Sequence, residues 1–354
     1  VEDIQRYMDE IKKYFQKAKE EFKQGHYHLV VGNLTYALQI LEQIGEVEDD
    51  LLGKIYFLLC ISYNKLNDLT KAYKICEKGL NYYKNRDIYW YAKFNNFKGV
   101  LLSREKKDQK AIPIYEKTLE LLKNENSKQA LKRKVSALFN MGNCYVRLSN
   151  FSKAKKSYLK AFKLVNLIEN NTLKGKILMG IGYIFHRENK LDLAERCYRK
   201  AKKFLSDKDD LVNYIRILHN LGEIYLSQGL LKEARRYYKE SLKDDKIYTL
   251  DRTVATSSLQ GLAATYLKSD ISKVKTYCIK ALDLALEDVT TKFPPRMEKD
   301  IGRIFMLLSH WLYYKKKMEE CKIYLSQAKI IFEKYNMKFD LKKLKEFERE
   351  VNLE

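Results

Sequence analysis

Three glycines, Gly142, Gly182 and Gly222, stand 40 residues apart in matching frames, LFNMGNCY, LMGIGYIF and LHNLGEIY. Ala154, Ala194 and Ala234 keep the same spacing downstream, and so do Tyr158, Tyr198 and Tyr238. Self-similarity at a fixed period of this length marks a stacked-repeat architecture, in which one supersecondary unit cannot bury its apolar face alone. Counted from Val135, Gly175 and Ile215, the glycines take position 8 and Tyr145, Phe185 and Tyr225 take 11. Phe151, Leu191 and Leu231 take 17, the alanines 20, the tyrosines 24, and Ala161, Ala201 and Ser241 take 27. Small residues at 8 and 20 let two antiparallel helices approach closely, and large ones at 11, 17 and 24 fill the space between units.

The units are helical. Three prolines and 14 glycines in 354 residues, with Leu, Lys, Ala, Glu and Tyr abundant, favour long helices over short strands. Weaker copies extend the frame. From Gly53, Cys60, Tyr63, Ala72, Cys76 and Gly79 take positions 8, 11, 20, 24 and 27; from Ala92, Gly99, Leu102, Ala111, Tyr115 and Thr118 do the same. A unit near Thr256 carries Ala263 and Tyr266, then Val274, Cys278 and Ala281 after a turn one residue shorter. A unit near Gly302 has Cys321, Leu325 and Ala328, and a degenerate first unit near Ile11 has Ala18, Val30, Leu34 and Ala37. The expected units are therefore 11–52, 53–91, 92–134, 135–174, 175–214, 215–255, 256–301 and 302–338, with a polar capping helix over 339–354. Phe293-Pro294-Pro295 predicts a longer connection with a hinge or offset. Pro113 predicts a kink or a late start in the second helix of its unit.

This frame resembles the tetratricopeptide signature: Leu-Gly and an aromatic on the first helix, then Ala, aromatic and Ala on the second. The resemblance implies an all-α, right-handed superhelical solenoid of about eight helix pairs. The standard unit is about 34 residues long, whereas positions 8 to 27 keep their spacing here within a 40-residue period. The added residues are expected after Ala161, in FKLVNLIENNTL, as nearly two extra turns of amphipathic helix. Long units of this kind are similar to those of the Rap, NprR, PlcR and PrgX group, cytoplasmic receptors for signalling peptides of Gram-positive bacteria. Kinesin light chains and related scaffolds share them. Members of the bacterial group commonly carry a helix-turn-helix domain or helical bundle before the repeats. The chain opens on Val1 inside a helical pattern, so such a segment is expected upstream only if this is a fragment, and nucleic acid is expected as a partner only through it.

Other function classes find little support. No apolar run approaches the roughly 20 residues that span a bilayer, and the charged first twenty residues are unlike a secretory signal, so a cytoplasmic protein is expected, with no membrane partner. The six cysteines form no Cys-x-x-Cys pair, which predicts buried, reduced thiols. The net charge of +22 is carried by lysines scattered along the chain rather than concentrated on one element. No Gly-rich phosphate loop, Gly-x-Ser-x-Gly or His-Glu-x-x-His occurs, and His26-Tyr27-His28 lacks neighbours at ligand spacing, so no catalysis, metal or cofactor is expected.

In tetratricopeptide folds, positions 2, 5, 6, 9, 12 and 13 of the first helices line the concave groove. The resemblance therefore implies a peptide-binding set: Lys93, Asn96 and Arg104, then Asn140, Asn143 and Arg147, then Lys176, Tyr183 and Arg187. Arg216, His219, Asn220, Glu223 and Gln260 complete it. His186 and His310 fall at groove positions 12 and 9. Asparagine offers a donor and an acceptor to an extended peptide bond, and arginine a fork for a carboxylate. The expected function is a receptor for a short linear peptide that switches conformation or oligomeric contacts, and, if the chain is a fragment, the sensing half of a transcriptional regulator. The alternatives are a scaffold docking a folded partner such as a response regulator and, more weakly, a nucleic-acid binder. Self-association is expected through terminal units, with Trp311, Tyr313 and Tyr314 either at that contact or in the packing of the last unit.

Overall fold

The computed structural model describes residues 2–45, 48–287 and 295–351. The described residues form eighteen α-helices and no strand. The chain divides into two compact units, residues 1–170 and 171–354. The first holds four helix pairs: α1 (Glu2–Gln24) with α2 (Tyr27–Ile44), α3 (Asp49–Lys65) with α4 (Leu69–Tyr83), α5 (Ile88–Arg104) with α6 (Asp108–Leu121), and α7 (Lys128–Arg147) with α8 (Phe151–Val165). The second holds α9 (Asn171–Arg187) with α10 (Leu191–Phe204) and α11 (Asp207–Ser227) with α12 (Leu231–Ser241). A single turn, α13 (Ile247–Leu250), precedes α14 (Arg252–Tyr266) with α15 (Ile271–Leu286), α16 (Pro295–Tyr314) with α17 (Met318–Lys334), and the cap α18 (Lys338–Glu350). The fold is all-α and built of stacked helix pairs.

The pairs are locked where a ring lies flat on a glycine. A Cβ placed on Gly99 would sit 2.5 Å from the Tyr115 ring, on Gly142 2.5 Å from Tyr158, on Gly182 2.9 Å from Tyr198 and on Gly222 2.7 Å from Tyr238. Real carbon atoms do not approach so closely, so in these four repeats position 8 has no room for a side chain. The four tyrosines are buried. Their hydroxyls meet different fates. Tyr158 donates to Asn143 Oδ1 at 2.6 Å and Tyr238 to Glu223 Oε1 at 2.6 Å, using the residue that follows each glycine. In the intervening repeat that residue is Tyr183, and the buried Tyr198 hydroxyl has no partner among the described residues.

Seven of the eight turns within described pairs are closed by one left-handed residue. Gly25, Asn67, Lys106, Ser149, Asn189, Gly229 and Lys316 all have φ between 58° and 84°. The amide of the following residue reaches back five residues, as in Asn150 N to Tyr145 O at 2.8 Å and Leu230 N to Tyr225 O at 2.8 Å. This is the C-terminal motif in which a left-handed residue satisfies the last carbonyls of a helix. The turn between α14 and α15, one residue shorter in the sequence, has no such residue, and Leu267 stays right-handed.

Two local expectations change. α8 stops at Val165 and residues 166–170 form a turn, so the added residues do not lengthen the second helix. They lengthen first helices at their N-terminal ends. α7 begins seven residues before Val135 and α16 seven before Gly302, while α11 restarts after a kink at Asp210. The second helices α8, α10 and α12 are only 15, 14 and 11 residues long. Pro113 lies inside α6, which starts five residues earlier at Asp108 and is not delayed by it. Phe293 and Pro294 lie outside the described residues. Five of the six cysteines are buried, Cys197 is half-buried, and all are free thiols. Trp311 packs in the terminal core, whereas Tyr313, T-shaped to Phe347 of α18, and Tyr314 are both exposed.

Two outcomes are expected from the glycine–tyrosine contacts. Gly142→Ala should cost about 1 to 3 kcal/mol through overpacking against Tyr158, read as a lower thermal midpoint; an unchanged midpoint would contradict the contact. Tyr238→Phe should cost about 1 to 3 kcal/mol by stripping the donor from the Glu223 carboxylate. Tyr198→Phe should be neutral or stabilising, because it removes a buried hydroxyl that has no bond to lose.

Candidate functional site

Successive first helices pack on one another within each unit, α3 on α5 and α5 on α7 in the first, α9 on α11, α11 on α14 and α14 on α16 in the second. The second helices make no comparable contact with each other. Each unit therefore curves with its first helices inside, and the inner layer carries the polar positions named from the sequence.

Most of the basic groove candidates are already bonded within the chain. Arg147 forks onto the buried Asp108 at the start of α6, with Nε and a terminal nitrogen at 2.8 and 2.6 Å. Burial opposes the charge on Asp108, yet the Arg147 bonds outweigh it and hold the carboxyl below its usual range. Arg216 bonds Asp251, the N-cap of α14, at 2.7 and 2.6 Å, and Lys176 bonds Asp210 at 2.7 Å. Arg104 holds the turn of the preceding repeat through Asn64 and Asn67, the latter at 3.2 Å. Arg187 is exposed and also engaged within the chain. Arg104, Arg147, Lys176 and Arg216 thus tie one repeat to the next.

The amides divide differently. Asn96 is buried, with Nδ2 donating to Arg133 O at 3.0 Å, and Asn143 accepts from Tyr158. Gln260 is buried within α14. Asn140 and Asn220, both at position 6 of their repeats, are half-buried and make no side-chain hydrogen bond among the described residues. Asn140 lines a shallow cleft of the first unit with Val100, Ser103, Asn143 and Arg147. Tyr183 is exposed on α9.

The second unit gathers a polar cluster that the sequence did not disclose. His219 is 3% exposed, with Nδ1 at 3.0 Å from Ser258 Oγ and Nε2 at 3.2 Å from an Arg296 nitrogen. Arginine can only donate, so Nε2 accepts and the neutral ring carries its proton on Nδ1. Burial agrees, pushing the imidazole down to about 4. Buried Asp300 accepts from the Ser257 hydroxyl, and Arg303 forks onto Asp340 of the cap at 3.1 and 3.3 Å. Arg296 and Asp300 sit in the added N-terminal turns of α16, ahead of the counted frame. Arg303 stands at position 2 of its unit, so counting the eighth unit as the others were counted would have found it. His310 lies against the Phe347 ring, at 3.6 Å between centroids, and burial pushes it to about 4. His26, the other sequence candidate, pairs with Glu21 at 2.8 Å. No group of three or more metal-ligating side chains is placed to hold an ion among the described residues, and no described helix is long and apolar enough to cross a membrane.

His219 gives a pH dependence of known sign. The unfolded chain takes up its proton below about pH 6.5, whereas the folded ring resists until about pH 4. Stability is therefore lost as pH falls through that window, by up to about 1.4 kcal/mol per pH unit from this one group. The thermal midpoint of His219→Asn should fall less steeply than that of the parent between pH 6.5 and pH 4; parallel curves would contradict a buried neutral ring.

Comparisons with known proteins agree with this architecture. Tetratricopeptide repeat families match residues 135–164 and 173–247. A search of curated proteins finds no significant match. Among solved structures, the apo quorum sensor NprR from B. thuringiensis superposes with a TM-score of 0.59 at 14% identity, over 94% of this chain and 99% of that one. The signal-transduction ATPase PH0952 from Pyrococcus horikoshii, described as having a tetratricopeptide repeat sensor, gives 0.64 at 15% identity over 96% of this chain and 52% of that one. The Rap conjugation gene regulator of plasmid pLS20, solved with the Phr* peptide, gives 0.53 at 16% identity over 96% and 89%. The chain thus carries tetratricopeptide repeats over residues 135–164 and 173–247 and resembles the quorum sensor NprR and the Rap conjugation gene regulator in fold.

Proposed function

We propose that this protein is a receptor for a short linear signalling peptide, held in extended form along the first helices. The observation that carries the reading is the division of labour on the inner layer. The basic side chains are spent on clamping repeats together, while Asn140 and Asn220 recur at the same repeat position with amides unspent. An amide that offers one donor and one acceptor matches the two groups of a peptide bond without reading its side chain. The pLS20 Rap regulator, solved with a peptide, has the same fold and supports the same direction. Helices pack roughly 10 Å apart and an extended chain covers about 3.3 Å per residue, so three first helices accommodate on the order of ten residues. In a regulator of this kind, occupancy would change how the repeats stack and so expose or withdraw a surface read by a downstream partner.

A display library of random decapeptides, selected on the protein, tests this. Binders selected in this way should lose about 5- to 150-fold in affinity, equivalent to about 1 to 3 kcal/mol, on Asn140→Ala or Asn220→Ala, with the thermal midpoint nearly unchanged. The variant that loses affinity assigns the peptide to its own unit. Selection that yields no binder, or binders that survive both substitutions together, would sink the reading.

A further inference from the structure

Lysines that lie far apart in the sequence meet on the outer layer of the first unit. Positions 19, 22 and 26 of the repeats begun at Gly53, Ala92 and Val135 fall on the second helices α4, α6 and α8, and eight of these nine residues are lysine, Pro113 being the exception. All eight are exposed. Stacking aligns residues 39 and 43 apart, such as Lys78, Lys117 and Lys160, into columns that cross successive outer helices. α8 adds Lys163 and carries five lysines and no acid. In the first and eighth repeats the same positions hold no cation: Leu29, Gly32 and Tyr36 in one, Glu320, Ile323 and Gln327 in the other. Lysine is therefore not a general property of this face of the repeat.

The columns have little internal compensation. Lys71 pairs with Asp68, and Lys117 donates to the Tyr91 hydroxyl. Lys74, Lys78, Lys110, Lys156, Lys160 and Lys163 have no ion pair or hydrogen bond among the described residues. Lys93 of the inner layer, by contrast, lies over the Phe57 and Trp90 rings, 3.9 and 4.0 Å from their centroids. Of the acids on the three outer helices, Glu77, Asp108 and Glu120 are held by Lys98, Arg147 and Lys123, which leaves Glu116. Along α8 the lysines recur at intervals of three and four residues, a spacing at which like charges weaken a helix.

The chemistry of the face selects its partner. Protein interfaces have apolar, aromatic centres depleted of lysine, and Leu159 is the only large apolar side chain exposed on α4, α6 or α8. Single strands are held by stacking on aromatic rings, and anionic membranes by an inserted apolar face as well as by charge; this surface offers neither. RNA duplexes are contacted through their 2′-hydroxyls, for which ammonium groups, donors without acceptors, are poorly equipped. Two intervals of roughly 10 Å between packed helices span a length over which double-stranded DNA presents about twelve phosphates.

We propose that the outer face of α4, α6 and α8 binds double-stranded DNA, with the lysine columns laid against its phosphates and no base read. The surface lies on the other side of the repeats from the peptide groove and does not depend on the peptide reading.

The test is the anisotropy of a short fluorescent DNA duplex of arbitrary sequence titrated with the full chain, at salt concentrations from about 50 to 200 mM. The slope of log affinity against log salt should be about −4 or steeper. Replacing Lys156, Lys160 and Lys163 together by Gln should weaken binding at least about 10-fold and make the slope shallower by about 2 to 3, with the thermal midpoint retained. Replacing Lys12, Lys13 and Lys17 of α1 by Gln removes the same charge from the same unit, and should leave affinity and slope as they were. Equal losses in the two triple variants would show that DNA responds only to the net charge of +22, and overturn the surface. Absence of binding at the lowest salt overturns it as well. Tighter binding to the single strand, to an RNA duplex of the same sequence or to vesicles containing phosphatidylserine overturns DNA as its occupant.

Discussion

The contact on which the repeats depend is a tyrosine ring laid flat on the backbone of a glycine. It joins the two helices of a pair at a distance no other residue permits, and in the second unit it also joins neighbouring pairs. A Cβ on Gly261 would lie 2.4 Å from the ring of Tyr238, which already rests on Gly222. One ring is thus held between two helix backbones of successive repeats. Close packing of this kind tolerates almost no change in volume, and it sets the spacing at which the inner polar side chains face each other. Clamps such as Arg147 on Asp108 act on a geometry that the rings have already fixed.

The fold was legible because its determinants recur. Glycine, alanine and tyrosine at fixed offsets, three times over, identify both helices of a unit and which faces of them meet. The inner site was less legible for a physical reason. The position of Arg147 or Arg216 in a helix shows that it points inward, but not that an aspartate waits there. Asp108 lies 39 residues before Arg147 and Asp251 lies 35 after Arg216, separations that become contacts only when repeats are stacked. Sequence reasoning therefore assigned to a ligand charges that the fold uses itself. Arg133 and Arg296 were missed for a related reason: both lie in turns added ahead of the counted frame, a region for which the 34-residue pattern has no position.

Those added turns change what the inner layer can do. A standard first helix presents about four turns to the groove, whereas α7 and α16 are 20 residues long and present more than five. In the first unit the extension brings Arg133 beside Lys93 and Asn96. In the second it brings Arg296 across to His219, 77 residues away in sequence, and there the added cation is bonded within the fold. The same device thus yields an unpaired charge in one unit and a satisfied one in the other.

The left-handed turns bear on the order in which the chain folds. At Lys106, Ser149 and Lys316 the backbone adopts a conformation that costs a side-chain-bearing residue roughly 1 to 2 kcal/mol, so these turns are not preferred in the isolated chain. They are held by the helices on either side once those have docked. Hairpin formation in this protein is therefore governed by the interface between helices and not by the loop that joins them. At Gly25 and Gly229 the same conformation is nearly free, so those two turns take nothing from the interfaces they close.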